Sequence, residues 1–191
     1  PNIIKKAFEI CDKNNVNLLV GAGIKNGYDV KKARILGAKG ILVASGFVKA
    51  ENKEEVLEDF AKNLKIKGFF VGRFQPLHLG HVYAIEQASK ICDKLIIGIG
   101  SSQYYNKPEN PFKASIREKM LRKVFDNKFK IVKIPDFNSD EKWTNYCIRN
   151  FDFDVVFTGS KYVEKCFKNK REIFKVKFLK PRNLYRGTYI R

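Results

Sequence analysis

From Lys67 onward the chain repeats one pattern: a short apolar run, a turn, then an amphipathic stretch at helical spacing. KGFFVG, KLIIGIG, FKIVKIP, DVVFTG and FKVKFL read as strands. Between them HLGHVYAIEQASKICD, KASIREKMLRKVF, EKWTNYCIRNF and the shorter VEKCFKN read as helices, the first with Val82, Ile85, Ala88 and Ile91 on one stripe. Strands that alternate with helices in this way form a parallel sheet, and five of them in succession predict an α/β, doubly wound, Rossmann-like order.

The first 64 residues alternate too, but stop short. NIIKKAFEIC reads as a helix, VNLLVG as a strand, and GYDVKKARILG as a helix closed by Gly37. GILVAS reads as a strand, and NKEEVLEDFAKNL as a helix with acids in its first turn, where the helix dipole favours them. Two strands cannot cover both faces of a parallel sheet, so this part is expected to pack on something else. The opening PNIIKKAFEI lacks an initiator Met and a signal-peptide pattern, which makes the chain an expected fragment of something longer. No Gly/Ser/Pro linker marks the join near Ile66, so two modules are expected to abut. The loops GAGIKNG (Gly21–Gly27) and ASGFVKA (Ala44–Ala50) follow the two strands, where α/β proteins bind ligands and exposed backbone N–H groups can hold phosphate.

Composition narrows the class. Hydrophobic residues at 44% and aromatics at 13% suffice for a packed core, and no apolar run is long enough to span a membrane. The net charge of +18 comes from lysines spread along the chain, with no basic run interleaved with aromatics. That is expected of a solvated surface with sites for anionic small molecules, not of a nucleic-acid partner. Cys11, Cys92, Cys147 and Cys166 have no metal spacing and read as reduced, mostly buried thiols, which points to the cytoplasm. No protein metal site is expected.

Both histidines of the chain lie in GRFQPLHLGH, Gly72 to His81. Gly72 ends the strand, Pro76 fixes the turn and keeps Gln75 extended, and the helix starts near Leu79–His81. His78 and His81 then share one side of a helix N-terminus, where unpaired peptide N–H groups and the positive end of the dipole attract polyphosphate. Gly80 lets that guest approach the backbone. Imidazoles there can donate to phosphate oxygens, more strongly when protonated.

The H-x-G-H after a first strand resembles the nucleotidylyltransferase superfamily, and the whole of GRFQPLHLGH resembles its archaeal-type nicotinamide mononucleotide adenylyltransferases. IIGIGSSQ, NPFKASIREKM, DEKWTNYC, DVVFTGS and the closing YRGTYIR resemble further segments of that family in order, across Lys67–Arg191. Three positions depart from the family: Arg186 stands where serine is usual, Arg117-Glu118 where Glu-Arg is usual, and Ser160 where asparagine is usual. Residues 1–64 resemble the end of an archaeal-type triosephosphate isomerase, the last β/α units of a (β/α)8 barrel without its catalytic residues. The domains implied are an isomerase-like segment, 1–66, and a nucleotidylyltransferase domain, 67–191.

The resemblance implies adenylyl transfer from ATP to nicotinamide mononucleotide, giving NAD and pyrophosphate, with Mg2+ entering on ATP. It assigns Arg73, His78, His81 and Arg191 to catalysis. It assigns Gly72, Arg73, Phe74, His78, Gly80, His81, Gly159, Thr188 and Arg191 to ATP, and Gly100, Ser101, Asn110, Pro111, Phe112 and Trp143 to the mononucleotide. Trp143 would stack on the nicotinamide ring, the other reading being an ordinary core aromatic. In the isomerase-like part Gly21, Gly23, Ser45 and Gly46 would be phosphate loops. Oligomeric state stays open. The alternatives are another nucleotidylyltransferase, a protein defined by a fused isomerase, and a non-catalytic nucleotide or nucleic-acid binder.

Overall fold

The computed structural model describes residues 2–177. The described residues divide into two compact units, residues 2–66 with 90–93, and residues 67–89 with 94–177.

The first unit runs α1 (Asn2–Lys13), β1 (Leu19–Val20), α2 (Gly27–Ile35), β2 (Gly40–Ile41), α3 (Ser45–Val48) and α4 (Lys53–Leu64). Local chemistry sets the helix ends. The Asn26 side chain accepts from Asp29 N at 3.1 Å, and that of Asn52 from Glu55 N at 3.2 Å. After α2 the chain leaves through Gly37 at φ 106°, a conformation costly for any residue with a Cβ. Arg34 is buried and bonded through Nε to Leu64 O (2.7 Å) and through Nη2 to Asp93 Oδ2 (3.0 Å).

Two expectations for this unit change. β1 and β2 pair in parallel, but only Leu19–Gly40 and Val20–Ile41 are in register, so the strands are shorter than the apolar runs VNLLVG and GILVAS. Each strand has one neighbour, and Leu19 and Leu42 remain exposed. The second small-residue loop is not open: Ser45 and Gly46 form the first turn of α3.

The second unit runs β3 (Lys67–Gly72), α5 (Leu79–Ile91), β4 (Lys94–Ile99), α6 (Ala114–Phe125), β5 (Lys130–Lys133), α7 (Asp140–Asn150), β6 (Val155–Thr158), α8 (Lys161–Phe167) and β7 (Glu172–Lys175). Its strands form one parallel sheet in the order β5-β4-β3-β6-β7, which is the Rossmann-like order expected. One layer of core carries Phe69, Ile96 and Val156 from three strands against Trp143 and Cys147 of α7 and Phe167 of α8. Phe69 stacks on Phe153 at 4.6 Å. The stripe predicted on α5 is buried at Ile85, Ala88 and Ile91, with Val82 partly exposed.

The last strand starts two residues ahead of the expected FKVKFL, because pairing sets its register. Phe174 lies opposite Phe157, with ring centroids 5.5 Å apart, and this brings Glu172 and Ile173 into the ladder. Cys92, Cys147 and Cys166 are buried free thiols and Cys11 is partly exposed. Among the described residues no helix is long and apolar enough to cross a membrane.

Candidate active site

A cavity of about 1280 Å³ opens at the carboxyl ends of β3, β4 and β6. The chain order reverses there, with β4 on one side of β3 and β6 on the other, so the connecting loops diverge and leave a crevice.

The turn after β3 builds one wall. Phe74 has φ 50° and is fully buried, and its ring underlies Gly72, where a Cβ would fall 2.9 Å from Phe74 Cζ. The Gln75–Pro76 peptide is cis. The buried Gln75 side chain donates to Phe112 O at 3.0 Å and accepts from Phe112 N at 2.9 Å, tying this turn to the segment before α6. The His78 carbonyl accepts from His81 N (2.9 Å) and Val82 N (3.2 Å), so His78 opens α5.

The two imidazoles stack, with centroids 3.6 Å apart and planes at 24°, and Phe74 meets His81 edge-on at 4.9 Å. Both Nδ1 atoms are buried without a partner, which leaves Nε2 as the nitrogen available to a ligand. Burial pushes His81 down to about 3, helped by the neighbouring His78, and lowers His78 as well. The pair is therefore neutral at pH 7 until a polyphosphate brings its own negative charge.

This has a consequence for stability. The folded value for His81 lies below the ordinary 6.5, so as pH falls the unfolded chain takes up the proton first. The contribution is whole above about pH 6.5 and is lost toward pH 3, at about 1.4 kcal/mol per pH unit. Urea midpoints measured from pH 7 to pH 4 are expected to fall more steeply in the wild type than in His81→Asn. Parallel slopes would mean that His81 titrates normally in the fold.

The loop after β4 forms the floor. Gly100 N donates to Gly72 O at 3.0 Å, and Ser101 is buried with φ 50°. Arg117 on α6 is fully buried; its Nη1 donates to Arg73 O (2.9 Å) and Gly100 O (2.7 Å), and its Nη2 to Ser101 O (3.0 Å). One guanidinium thus pins both loops.

The opposite wall comes from Asp136 and Phe137 after β5, Trp143 of α7, and Gly159, Lys161 and Tyr162 at the start of α8. Arg73, Lys161 and Lys175 line the cavity against Asp136 and Glu164, and Lys175 pairs with Glu164 at 2.7 Å. The basic side chains, together with the α5 N-terminus, suit an anionic guest.

Of the residues expected from sequence, Gly72, Arg73, His78, Gly80, His81, Gly100, Ser101, Trp143 and Gly159 line this cavity together. Phe74 lies beneath the wall, behind His81. Asn110, Pro111 and Phe112 are not on the wall; Phe112 reaches the site through Gln75. Thr188 and Arg191 lie outside the described residues, as does Arg186. In the first unit Gly23 has φ 85°, and a Cβ on Gly46 would fall 3.4 Å from Ile24 O, so the loops bearing Gly21, Gly23, Ser45 and Gly46 run side by side.

Gln75, Arg117 and Tyr162 were not read as site residues from sequence. A signal existed for Arg117: it occupies the i, i+3, i+7 stripe between Ala114 and Leu121, which is the buried face of α6. Among the described residues no group of three His, Cys, Asp or Glu side chains is arranged to hold a metal ion.

Residues 69–191 match the family model described as Cytidylyltransferase-like. A nicotinamide-nucleotide adenylyltransferase of Thermococcus kodakarensis is 39% identical over 111 residues, covering 54% of this chain and 59% of that protein. One from Pyrococcus horikoshii is 36% identical over 132 residues, covering 66% of this chain and 71% of that protein. The chain thus spans about three fifths to seven tenths of the length of these relatives. In fold, the chain is similar to a bifunctional NMN adenylyltransferase/ADP ribose pyrophosphatase of Francisella tularensis, complexed with AMP and a Mn ion. The TM-score is 0.57 at 24% identity, over 65% of this chain and 40% of that one. With the family model matching well over half its length, the chain belongs to the cytidylyltransferase-like family, alongside archaeal nicotinamide-nucleotide adenylyltransferases.

Proposed function

We propose that this chain transfers the adenylyl group of ATP to nicotinamide mononucleotide, forming NAD and pyrophosphate. The observation that carries the proposal is the stacked His78–His81 pair at the start of α5, set beside Arg73 in a cavity at the sheet's switch point. The identity to archaeal nicotinamide-nucleotide adenylyltransferases supports the choice of substrates.

In this mechanism a phosphate oxygen of the mononucleotide attacks the α-phosphorus of ATP in line as the bond to pyrophosphate breaks. The attacking oxygen is already anionic, so no general base is needed, and catalysis consists of positioning and electrostatic stabilisation. His78 and His81 hold ATP phosphate oxygens through Nε2, and Gly72, Gly80 and Gly159 allow close approach. Arg73 meets the charge that develops between the reacting groups, its planar fork suited to phosphate oxygens. Thr188 and Arg191 would hold the β and γ phosphates. Gly100, Ser101 and Trp143 belong to the mononucleotide side, with Phe112 acting through Gln75.

Mg2+ would enter with ATP and would supply positive charge to its phosphates. Residues 1–66 are a separate isomerase-like segment, with 67–191 as the catalytic domain, working in the cytoplasm.

The test is incubation of the chain with the mononucleotide and either ATP or CTP, each with Mg2+, followed by chromatography. NAD from ATP alone is expected. A cytidylyl product would move the chain to another acceptor branch of its family, and no product from either would remove the proposed activity.

A further inference from the structure

The two histidines form a closer unit than a shared helix face requires. Their rings stack with centroids 3.6 Å apart and planes at 24°. At that distance a charge on one ring opposes a charge on the other. Phe74 meets His81 edge-on at 4.9 Å and offers it no acceptor. Both Nδ1 atoms are buried without a partner. A charged imidazole carries N–H on both nitrogens, so its Nδ1–H needs an acceptor close by. The two rings differ here. Burial and the neighbouring His78 both act against charge on His81, whereas the main-chain carbonyl of His78 favours the charged form of its own ring.

The other groups around the cavity give an imidazolium little help. Arg73, Lys161 and Asp136 line it with the histidines, and Glu164 and Lys175 bond to each other at 2.7 Å. Tyr162 keeps its proton, because burial and its bond to Asp140 push it upward. Arg117 lies beneath the floor, bonded to Gly100 O. The balance of these charges is positive, so the empty cavity discourages a further cation. A polyphosphate reverses that balance.

We propose that His78 and His81 form a one-proton site: MgATP binding draws a single proton onto His78, while His81 donates to phosphate as a neutral imidazole. The inference deepens the function proposed above and rests on it. It gives the phosphates one charge-assisted donor and one neutral donor. The second charge is excluded by the stack, and the deeper ring is the one left neutral. Because the proton is held in the complex and not in the free chain, MgATP binds more tightly as pH falls. For one proton the gain is up to about tenfold per pH unit, between the values of the free and the bound pair.

The 2 histidines of the chain give only two sets of imidazole signals, so ring-nitrogen NMR at pH 7 reads the pair directly. His78→Asn and His81→Asn each keep one set and so assign the two rings. Both rings are expected to be neutral in the free chain. With saturating MgATP, His78 is expected to become charged and His81 to stay neutral, with its proton on Nε2. Calorimetry of MgATP binding in buffers of different ionisation enthalpy should then show uptake of about one proton by the wild type and close to none by His78→Asn. Two neutral rings in the complex, or a ring already charged in the free chain, overturn the proton uptake. Two charged rings overturn the one-proton limit, and a charge assigned to His81 overturns the choice of His78. Each of these results leaves NAD formation by the wild type standing. A wild type that neither binds MgATP nor forms NAD overturns the proposed function, and this inference with it.

Discussion

Replacing His81 by alanine is expected to lower the proposed NAD formation by about 10²–10³-fold at saturating substrates, the scale seen when one preorganised donor is removed from a site of developing charge. The ring is held in place before substrate arrives. Phe74 supports it from below at 4.9 Å, His78 covers it at 3.6 Å, and its backbone N–H is bonded to the His78 carbonyl. Little reorganisation is left for the moment of reaction, so the loss falls on the rate rather than on folding. Folding loses the ring contacts, worth about 1 kcal/mol, and near pH 7 the buried imidazole is already neutral, so its removal brings no further change from charge burial. The measurement pairs kcat with the thermal midpoint. A large fall in kcat with a nearly unmoved midpoint is expected, and a kcat within about threefold of wild type would take the phosphate clamp away from His81.

The parts of this molecule that local pattern controls were readable before any coordinates. The β/α alternation after Lys67, the stripe on α5 and the helix start at the histidines are short-range features, and the structure contains them. What escaped depends on partners distant in the chain. Gln75 matters because Phe112, 37 positions on, presents both a donor and an acceptor to it. Trp143 was read either as a stacking face or as a core aromatic, and helical spacing does not say that it will both line the cavity and pack against Phe167 from another helix. The strands of the first unit shrank for the same reason, since an apolar run becomes a strand only as far as it finds a neighbour. Arg117-Glu118 was read as standing where Glu-Arg is usual in the family resembled. In the structure the two side chains part company: Glu118 turns to Arg122 (2.7 Å) and Lys133 (3.2 Å), and Arg117 turns inward.

Arg117→Met is the second large effect, and it appears first in stability. The side chain is fully buried and donates to three main-chain carbonyls, those of Arg73, Gly100 and Ser101. Those carbonyls flank the two non-glycine residues of the site with left-handed backbone, Phe74 and Ser101, both at φ 50°. Such conformations cost about 1–3 kcal/mol each and persist only where the surroundings over-determine them. Methionine fills much of the volume but takes this donor from the Arg73 and Gly100 carbonyls, at up to about 1–3 kcal/mol apiece, while Ser101 O keeps Tyr104 N at 3.2 Å. Removing a desolvated cation, one whose ionisation burial already opposes, offsets part of that loss. A net destabilisation of about 3 kcal/mol is expected from urea unfolding, with kcat reduced wherever the variant is still folded, because the Arg73 and Ser101 loops lose their common anchor. Arg117→Lys keeps the charge but not the fork, and cannot reach both loops at once. It should recover less than half of the lost stability. If the methionine variant unfolds at the wild-type urea concentration, the two loops hold their strained geometry without the guanidinium, and the site is preorganised by packing of Phe74 and the Gln75–Phe112 pair instead.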